Sequence, residues 1–289
     1  MDIRKTILER KSTREFKNKY VSTDILDSAF ELSKNKRNFA CSANTQAMII
    51  EDGEHVAERL DGMLGYGGYM IKAPQYIAIF SDPVENHLMN TGYYGEMLVL
   101  ALCSLGIDST WISLPDDTDL IKRKLNIDNQ KVLSGMLAIG YGKSDRKVED
   151  AIDTGENYSK TTMHVVENNT STRVRPEELV YHEKWGNKIT YDQLTNLGLQ
   201  DIFYYARMAP STLNRQPWKF LLKDRRIYLA IKKDERNKEQ ADMLDAGIMM
   251  LYMDLLLKAY NISGKWIIAP VSAQNYGIPD DYFVAGYFE

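Results

Sequence analysis

Two cysteines, Cys41 and Cys103, are all that the 289 residues contain, and no C-x-x-C pair occurs. A disulfide framework is therefore excluded. Both thiols lie in apolar stretches, where a free cysteine acts as a small hydrophobe, and such sparse usage fits a reducing compartment. Histidine is equally scarce: His55, His87, His164 and His182 are scattered without metal-ligand spacing, so no metal site is expected. Long hydrophobic runs are missing too, the longest being residues 97–105, whereas a bilayer needs ~20 apolar residues in a row. The opening M-D-I-R-K-T has no apolar core of a secretory signal. There is no excess of positive charge, the formal net charge being −4, which argues against nucleic acid or an anionic membrane as partner. G-Y-G-G-Y at 65–69 lacks the G-x-G-x-x-G spacing of a nucleotide loop and reads as a connection. The expectation is a cytoplasmic protein that handles a small molecule.

What is present is ordinary globular composition, 44% hydrophobic and 26% charged, in a chain long enough for one large domain or two smaller ones. A helix is predicted to begin near Asp2. A basic segment at 10–16 follows, then a helix entered at Ser22 or Thr23 with Ile25, Ala29 and Leu32 in period. Apolar strands are expected at 40–50 and 73–80, with a helix at 55–64 between them. A long helix over 85–105 is apolar nearly all round from Met97 and so predicts burial on several sides; Gly106 ends it. Glu96 stands inside that run, either as a site residue or on a face that grazes solvent. Strands at 110–114 and 132–142 flank a short helix at 119–125, and the polar 143–172 reads as a surface connection.

Three stretches carry chemistry. In A-R-M-A-P-S-T-L-N-R-Q-P-W-K-F-L-L (206–222), Pro210 and Pro217 stiffen a turn that holds Ser211, Thr212, Asn214 and Gln216. Alone, it equally fits a helix end before an edge strand, the polar side chains satisfying their own turn. At the N-terminus, Arg10, Ser12 and Arg14 alternate and share one face of an extended segment; Arg173 and Arg175 alternate in S-T-R-V-R-P-E-E-L-V. Guanidinium forks beside a hydroxyl suit a phosphate, although solvated basic strand ends would look the same.

Together, R-x-S-x-R-x-F, P-S-x-x-N-x-Q-P-W and the late S-T-R-V-R-P-E-E-L-V tail resemble the nitroreductase family of FMN-dependent NAD(P)H oxidoreductases, over most of the chain. The resemblance implies an α+β fold with helices packed around a mixed, mainly antiparallel sheet. It also implies that Arg10, Ser12 and Arg175, with Arg173 as a second candidate, hold the FMN phosphate. Arg14 would reach the pyrimidine edge of the flavin, and the backbone at Ser113 would meet N5. Pro210, Ser211, Thr212 and Asn214 would line the ring, with Asn214 and Gln216 bonding flavin or buttressing the turn. No side chain is expected to act as an acid or base, the flavin itself taking hydride from NAD(P)H and reducing a nitroaromatic, quinone or similar small acceptor. A relative with other chemistry (dehalogenation, azoline oxidation) and a flavin-binding redox sensor without turnover remain the alternatives.

The second part of the chain repeats the first. Asn44-x-Gln46 before a strand recurs as Asn214-x-Gln216, 170 positions later (214 − 44), and Gly92 and Trp111 recur as Gly247 and Trp266, 155 positions later (247 − 92, 266 − 111). Ala138-Ile139-Gly140-Tyr141 matches Ala285-Gly286-Tyr287 less closely. The expected organisation is a first repeat over 1–186, including the Arg173/Arg175 segment, and a shortened second over 187–289. In a family of homodimers this implies a fused pseudo-dimer. Each repeat keeps what the other lacks: arginines in the first, the full P-S-T-L-N-R-Q-P-W turn in the second. One composite FMN site and one vestigial site near Asn44 follow.

Overall fold

The computed structural model describes residues 1–34, 43–65, 70–143, 147–150, 163–166, 172–233, 239–268 and 273–289. The sequence readings that rest on Cys41, on 40–42 and on most of G-Y-G-G-Y lie outside these residues.

At the start of the chain, α1 (Ile3–Glu9) is capped by Asp2, whose carboxylate accepts from the N–H groups of Arg4 and Lys5, and α2 (Thr23–Lys34) follows. Next come β1 (Thr45–Ile50), α3 (Gly53–Leu60) and β2 (Gln75–Ser81). The long α4 (His87–Ser104) leads to β3 (Asp108–Trp111), α5 (Thr118–Lys124) and β4 (Val132–Gly140). The polar connection contains a hairpin, β5 (Lys147–Asp150) with β6 (Met163–Val166), that composition did not reveal. After it come α6 (Pro176–Leu179), β7 (Val180–His182), α7 (Tyr191–Asn196) and α8 (Gln200–Ala206). Thr190 and Gln193 close a reciprocal capping box on α7, which fixes where that helix starts. The chain ends with β8 (Trp218–Lys223), β9 (Arg226–Lys232), α9 (Glu239–Ala259), β10 (Trp266–Ile267) and β11 (Tyr282–Phe288).

Two main sheets form, in the orders β1-β2-β4-β3 and β10-β11-β9-β8-β7. Read from their first strands, β1-β2-β4-β3 and β8-β9-β11-β10 are the same arrangement, all antiparallel. The expected α+β architecture is therefore present, once in each half. The fifth strand of the second sheet is β7, parallel to β8 through Val180↔Phe220. The tail of the first repeat, whose boundary the sequence reading sets at 186, thus packs with the second sheet. The halves differ where β1 and β8 turn back. α3 bridges the first pair, whereas Asp224 and Arg225, at φ 51° and 61°, make a tight turn in the second, the backbone hand that suits strand twist.

Helices α4 and α9 are the centre. Both are apolar around most of their circumference, so both need neighbours on several sides. Leu98, Val99, Ala101 and Leu102 of α4 pack with Ile77, Ile79, Leu137 and Ile139 of the first sheet. Met89, Tyr93, Met97 and Leu100 face the other way, into the core shared with α9 and the second sheet. At the crossing, a Cβ on Gly92 would stand 2.2 Å from the Leu244 carbonyl oxygen, and one on Gly247 would stand 1.9 Å from that of Met89. The two contacts exchange under the same 155-residue shift (247 − 92, 244 − 89), so the helices meet about a local two-fold. Among the described residues no helix is long and apolar enough to cross a membrane.

Candidate anion and cofactor site

The proline-bounded turn after α8 is strained and heavily tied down. Leu213, Asn214 and Gln216 all have positive φ, at 55°, 55° and 51°, a region that costs side-chain-bearing residues energy unless the surroundings enforce it. The enforcement comes from two directions. From α9, the buried Asp245 accepts the Thr212 N–H at 3.0 and 3.2 Å and the Thr212 hydroxyl at 3.3 Å, while Arg215 pairs with Asp242 and stands 3.8 Å from Asp245. Within the turn, Ser211 Oγ accepts the Gln216 N–H at 2.9 Å.

From the other side comes the segment 172–175. Arg173 Nη1 donates to Asn214 Oδ1, and its Nη2 donates to the Met208 carbonyl at 3.3 Å. The Val174 N–H donates to Gln216 Oε1 at 3.0 Å, and the amides of Asn214 and Gln216 both donate to the Thr172 carbonyl at 3.1 Å. Of the two roles left open for Asn214 and Gln216, these bonds are those of buttresses that carry Arg173.

The N-terminal arginine reaches the same place. Arg10 caps α1 through its backbone N–H. Its side chain, 8% exposed, donates to Ser12 Oγ at 3.4 Å, and Nε lies 4.0 Å from Glu96 Oε1. Burial pulls the Arg173 guanidinium below its ordinary pKa, and the positive charge of Arg10 pushes it further the same way, so each cation lies within the other's field. Sequence alone placed them in separate motifs 163 positions apart (173 − 10).

Glu96 is not on a solvent-grazing face. It is wholly buried, with Oε2 accepting from Trp111 Nε1 at 2.8 Å and Oε1 from the Tyr252 hydroxyl at 3.2 Å. Burial raises its pKa, while Arg10 and the two donors oppose that rise.

Among the described residues, the remaining predicted ones make no hydrogen bond to Arg10 or Arg173. Arg14 and Ser113 are exposed, the Ser113 carbonyl accepting from the Gly65 N–H at 3.1 Å. Arg175 is the N-cap residue of α6; its side chain is 75% exposed and paired with Glu178 at 3.0 Å. Pro210 is half-buried beside the strained turn. The residues that sequence reading missed are Asp242, Asp245 and Tyr252, which lie on the mainly apolar α9. Their one signal was a polar side chain inside α9, the same signal that singled out Glu96 in α4.

Two of the six buried side-chain polar atoms without a hydrogen-bond partner, among the described residues, are Nε of Arg10 and Nε of Arg173. Buried N–H donors are ordinarily satisfied. Two buried guanidinium N–H donors without hydrogen bonds, on arginines within each other's field, fit a multiply charged oxyanion such as a flavin phosphate. Among the described residues no cluster of potential metal ligands occurs.

Comparison with known proteins agrees with the motifs. A family model described as "Putative TM nitroreductase" matches residues 2–257. A crystal structure of a "putative nitroreductase" from Thermotoga maritima superposes with a TM-score of 0.59 at 16% identity, covering 100% of this chain and 92% of that one. A nitroreductase with bound FMN from Bacteroides fragilis aligns at 17% identity with a TM-score of 0.41, over 57% of this chain and 100% of its own. Among curated proteins none matches significantly. With the family model spanning nearly its whole length, and the fold and all three motifs in place, the chain belongs to the nitroreductase family.

Proposed function

We propose that the protein is an FMN-dependent oxidoreductase with one composite cofactor site per chain, built by the two repeats as a fused pseudo-dimer. The observation that carries this reading is that Arg10, from the first repeat, and Arg173, held by the Asn214 and Gln216 turn of the second, each bury an Nε donor without a hydrogen bond and lie within each other's field. The chemistry supplied by bound FMN is acceptance of hydride from NAD(P)H and its delivery, in a ping-pong cycle, to a nitroaromatic, quinone or similar small acceptor.

The chain's own residues then bind and orient. Arg10, Ser12 and Arg173 hold the phosphate through charge-assisted hydrogen bonds, with Arg175 at the rim. Arg14 offers a cation to the pyrimidine edge, the backbone at Ser113 serves N5, and Pro210, Ser211 and Thr212 present the stiff edge of the turn to the ring. The protein supplies position and electrostatics, with no side chain in the role of acid or base.

The pseudo-dimer reading has further support in a repeated device. Asn90 on α4 donates to the Ala43 carbonyl at 3.1 Å and to Thr45 Oγ1 at 2.6 Å, pinning the Asn44 turn. Asp245, which pins the Asn214 turn, stands 155 positions later (245 − 90). The vestigial position has lost its cationic partners: Lys131 is spent on the Asn44 carbonyl at 2.9 Å and on Asp82.

The test is the absorption spectrum and flavin content of the protein as purified or reconstituted, followed by steady-state NADH and NADPH oxidation with a nitroaromatic and a quinone. Stoichiometric FMN with turnover is the expected result. Flavin without turnover would leave a binding or sensing protein, and no affinity for FMN would overturn the reading.

A further inference from the structure

Glu96 has no duty in holding the flavin, yet it is the one acidic side chain beside Arg10 that is wholly buried. It gathers groups from three elements: Arg10 after α1, Trp111 on β3 and Tyr252 on α9. Nothing about helix packing demands a carboxylate there. The local two-fold supplies an internal control, since position 251 is the equivalent by the same shift (251 − 96), and it is Leu251, 1% exposed. There the tryptophan equivalent to Trp111, Trp266, donates instead to the Met250 carbonyl at 3.0 Å. The carboxylate thus occurs in the half that carries the arginines and is replaced by a hydrocarbon in the other. A buried carboxylate is costly unless a charge partner recompenses it. The arginines are costly for the opposite reason, because the charge of one disfavours that of the other and each buries an Nε donor without a hydrogen bond.

We propose that Glu96 is the resident counter-charge of the two-arginine site, pairing with Arg10 and competing with the incoming anion for it. The proposal rests on the cofactor site described above. Glu96 never touches the ligand; it is a positioning residue that acts through Arg10. Its consequence is a weaker grip on the phosphate than two arginines alone would give, in return for a stable site before the cofactor arrives. The competition is one of charge, so it discriminates between ligands. A flavin that carries a phosphate feels it, and one without does not.

The experiment compares wild type with Glu96→Gln, which keeps the size and an acceptor for Trp111. FMN and riboflavin affinities are measured by quenching of flavin fluorescence, and thermal unfolding is followed with and without inorganic phosphate. The expected result is an FMN-to-riboflavin affinity ratio roughly tenfold higher in Glu96→Gln, the order of effect of one nearby charge at protein-surface dielectric. Glu96→Gln should also have a lower Tm without phosphate and a larger rise on its addition. An unchanged ratio, or equal weakening of both flavins, would show a purely structural role and overturn the proposal. A lower ratio would overturn it too, by showing that Glu96 aims Arg10 at the phosphate rather than competing for it. Should Glu96→Gln not fold, Glu96→Asp withdraws the charge from Arg10 by one methylene and is judged by the same signs at smaller amplitude. If wild type binds neither flavin, the cofactor reading fails, and the phosphate-dependent Tm alone decides whether Glu96 opposes an anion here.

Discussion

Neighbouring arginines in one motif have different surroundings. Arg173 is tied into the turn by Asn214 and the Met208 carbonyl, whereas Arg175, two residues on, is spent on Glu178 at the surface. Hydrogen bonds to charged groups contribute more when held and desolvated, while exposed ion pairs contribute little. Arg173→Ala and Arg10→Ala are therefore expected to weaken FMN binding by roughly ten- to a hundredfold, and Arg175→Ala by less than about threefold. Flavin retention after gel filtration, followed by titration, checks the order. Asp245 offers a second expectation. Burial, aided by the nearby Asp242, pushes its carboxyl from 3.8 up to about 7, against the Thr212 bonds and Arg215. Between those two values the folded state holds the proton more tightly than the unfolded chain, so this group's contribution to stability is complete below pH 3.8 and is lost as pH rises through about 7. Asp245→Asn should remove that loss, so its stability relative to wild type should improve from pH 5 to pH 8 in urea unfolding. A difference independent of pH would show that Asp245 does not titrate there.

At the scale of elements, the crossing of α4 and α9 is the contact on which the two halves depend. It is close because Gly92 and Gly247 have no side chain, each facing the other helix's backbone carbonyl. A methyl group there meets backbone that cannot step aside, so the helices have to part. Gly92→Ala and Gly247→Ala should each destabilise by about 2 kcal/mol or more, the upper range of overpacking, and by similar amounts because their surroundings exchange under the local two-fold. Chemical denaturation of both variants tests this, and a tolerated alanine at either place would deny the close approach. This importance was legible in part: both glycines stood out by their common spacing, and both helices by being apolar all round. The pairing of β5 with β6 was not legible, since the polar composition of 143–172 shows no apolar period.

For the molecule as a whole, unequal repeats predict unequal sites. One FMN per chain is expected from protein and flavin absorbance, and two would remove the case for a vestigial partner. Asn214→Ala should lower flavin affinity, because Asn214 carries Arg173, while Asn44→Ala should spare it. Equal effects would show that the halves had not specialised.

Motif and periodicity were enough to indicate the strands and the two central helices, and to single out three polar stretches, because each is written in residues close together along the backbone. What folding alone settled was which of those residues meet. Arg173 joined Asn214 and came within the field of Arg10, while Arg175 turned to Glu178. Glu96 was enclosed by Trp111 and Tyr252, and the strand at Val180–His182 was given to the second sheet. These outcomes depend on burial and charge between residues up to 163 positions apart (173 − 10), and such energies come into being only when the helices cross and water is driven from between them.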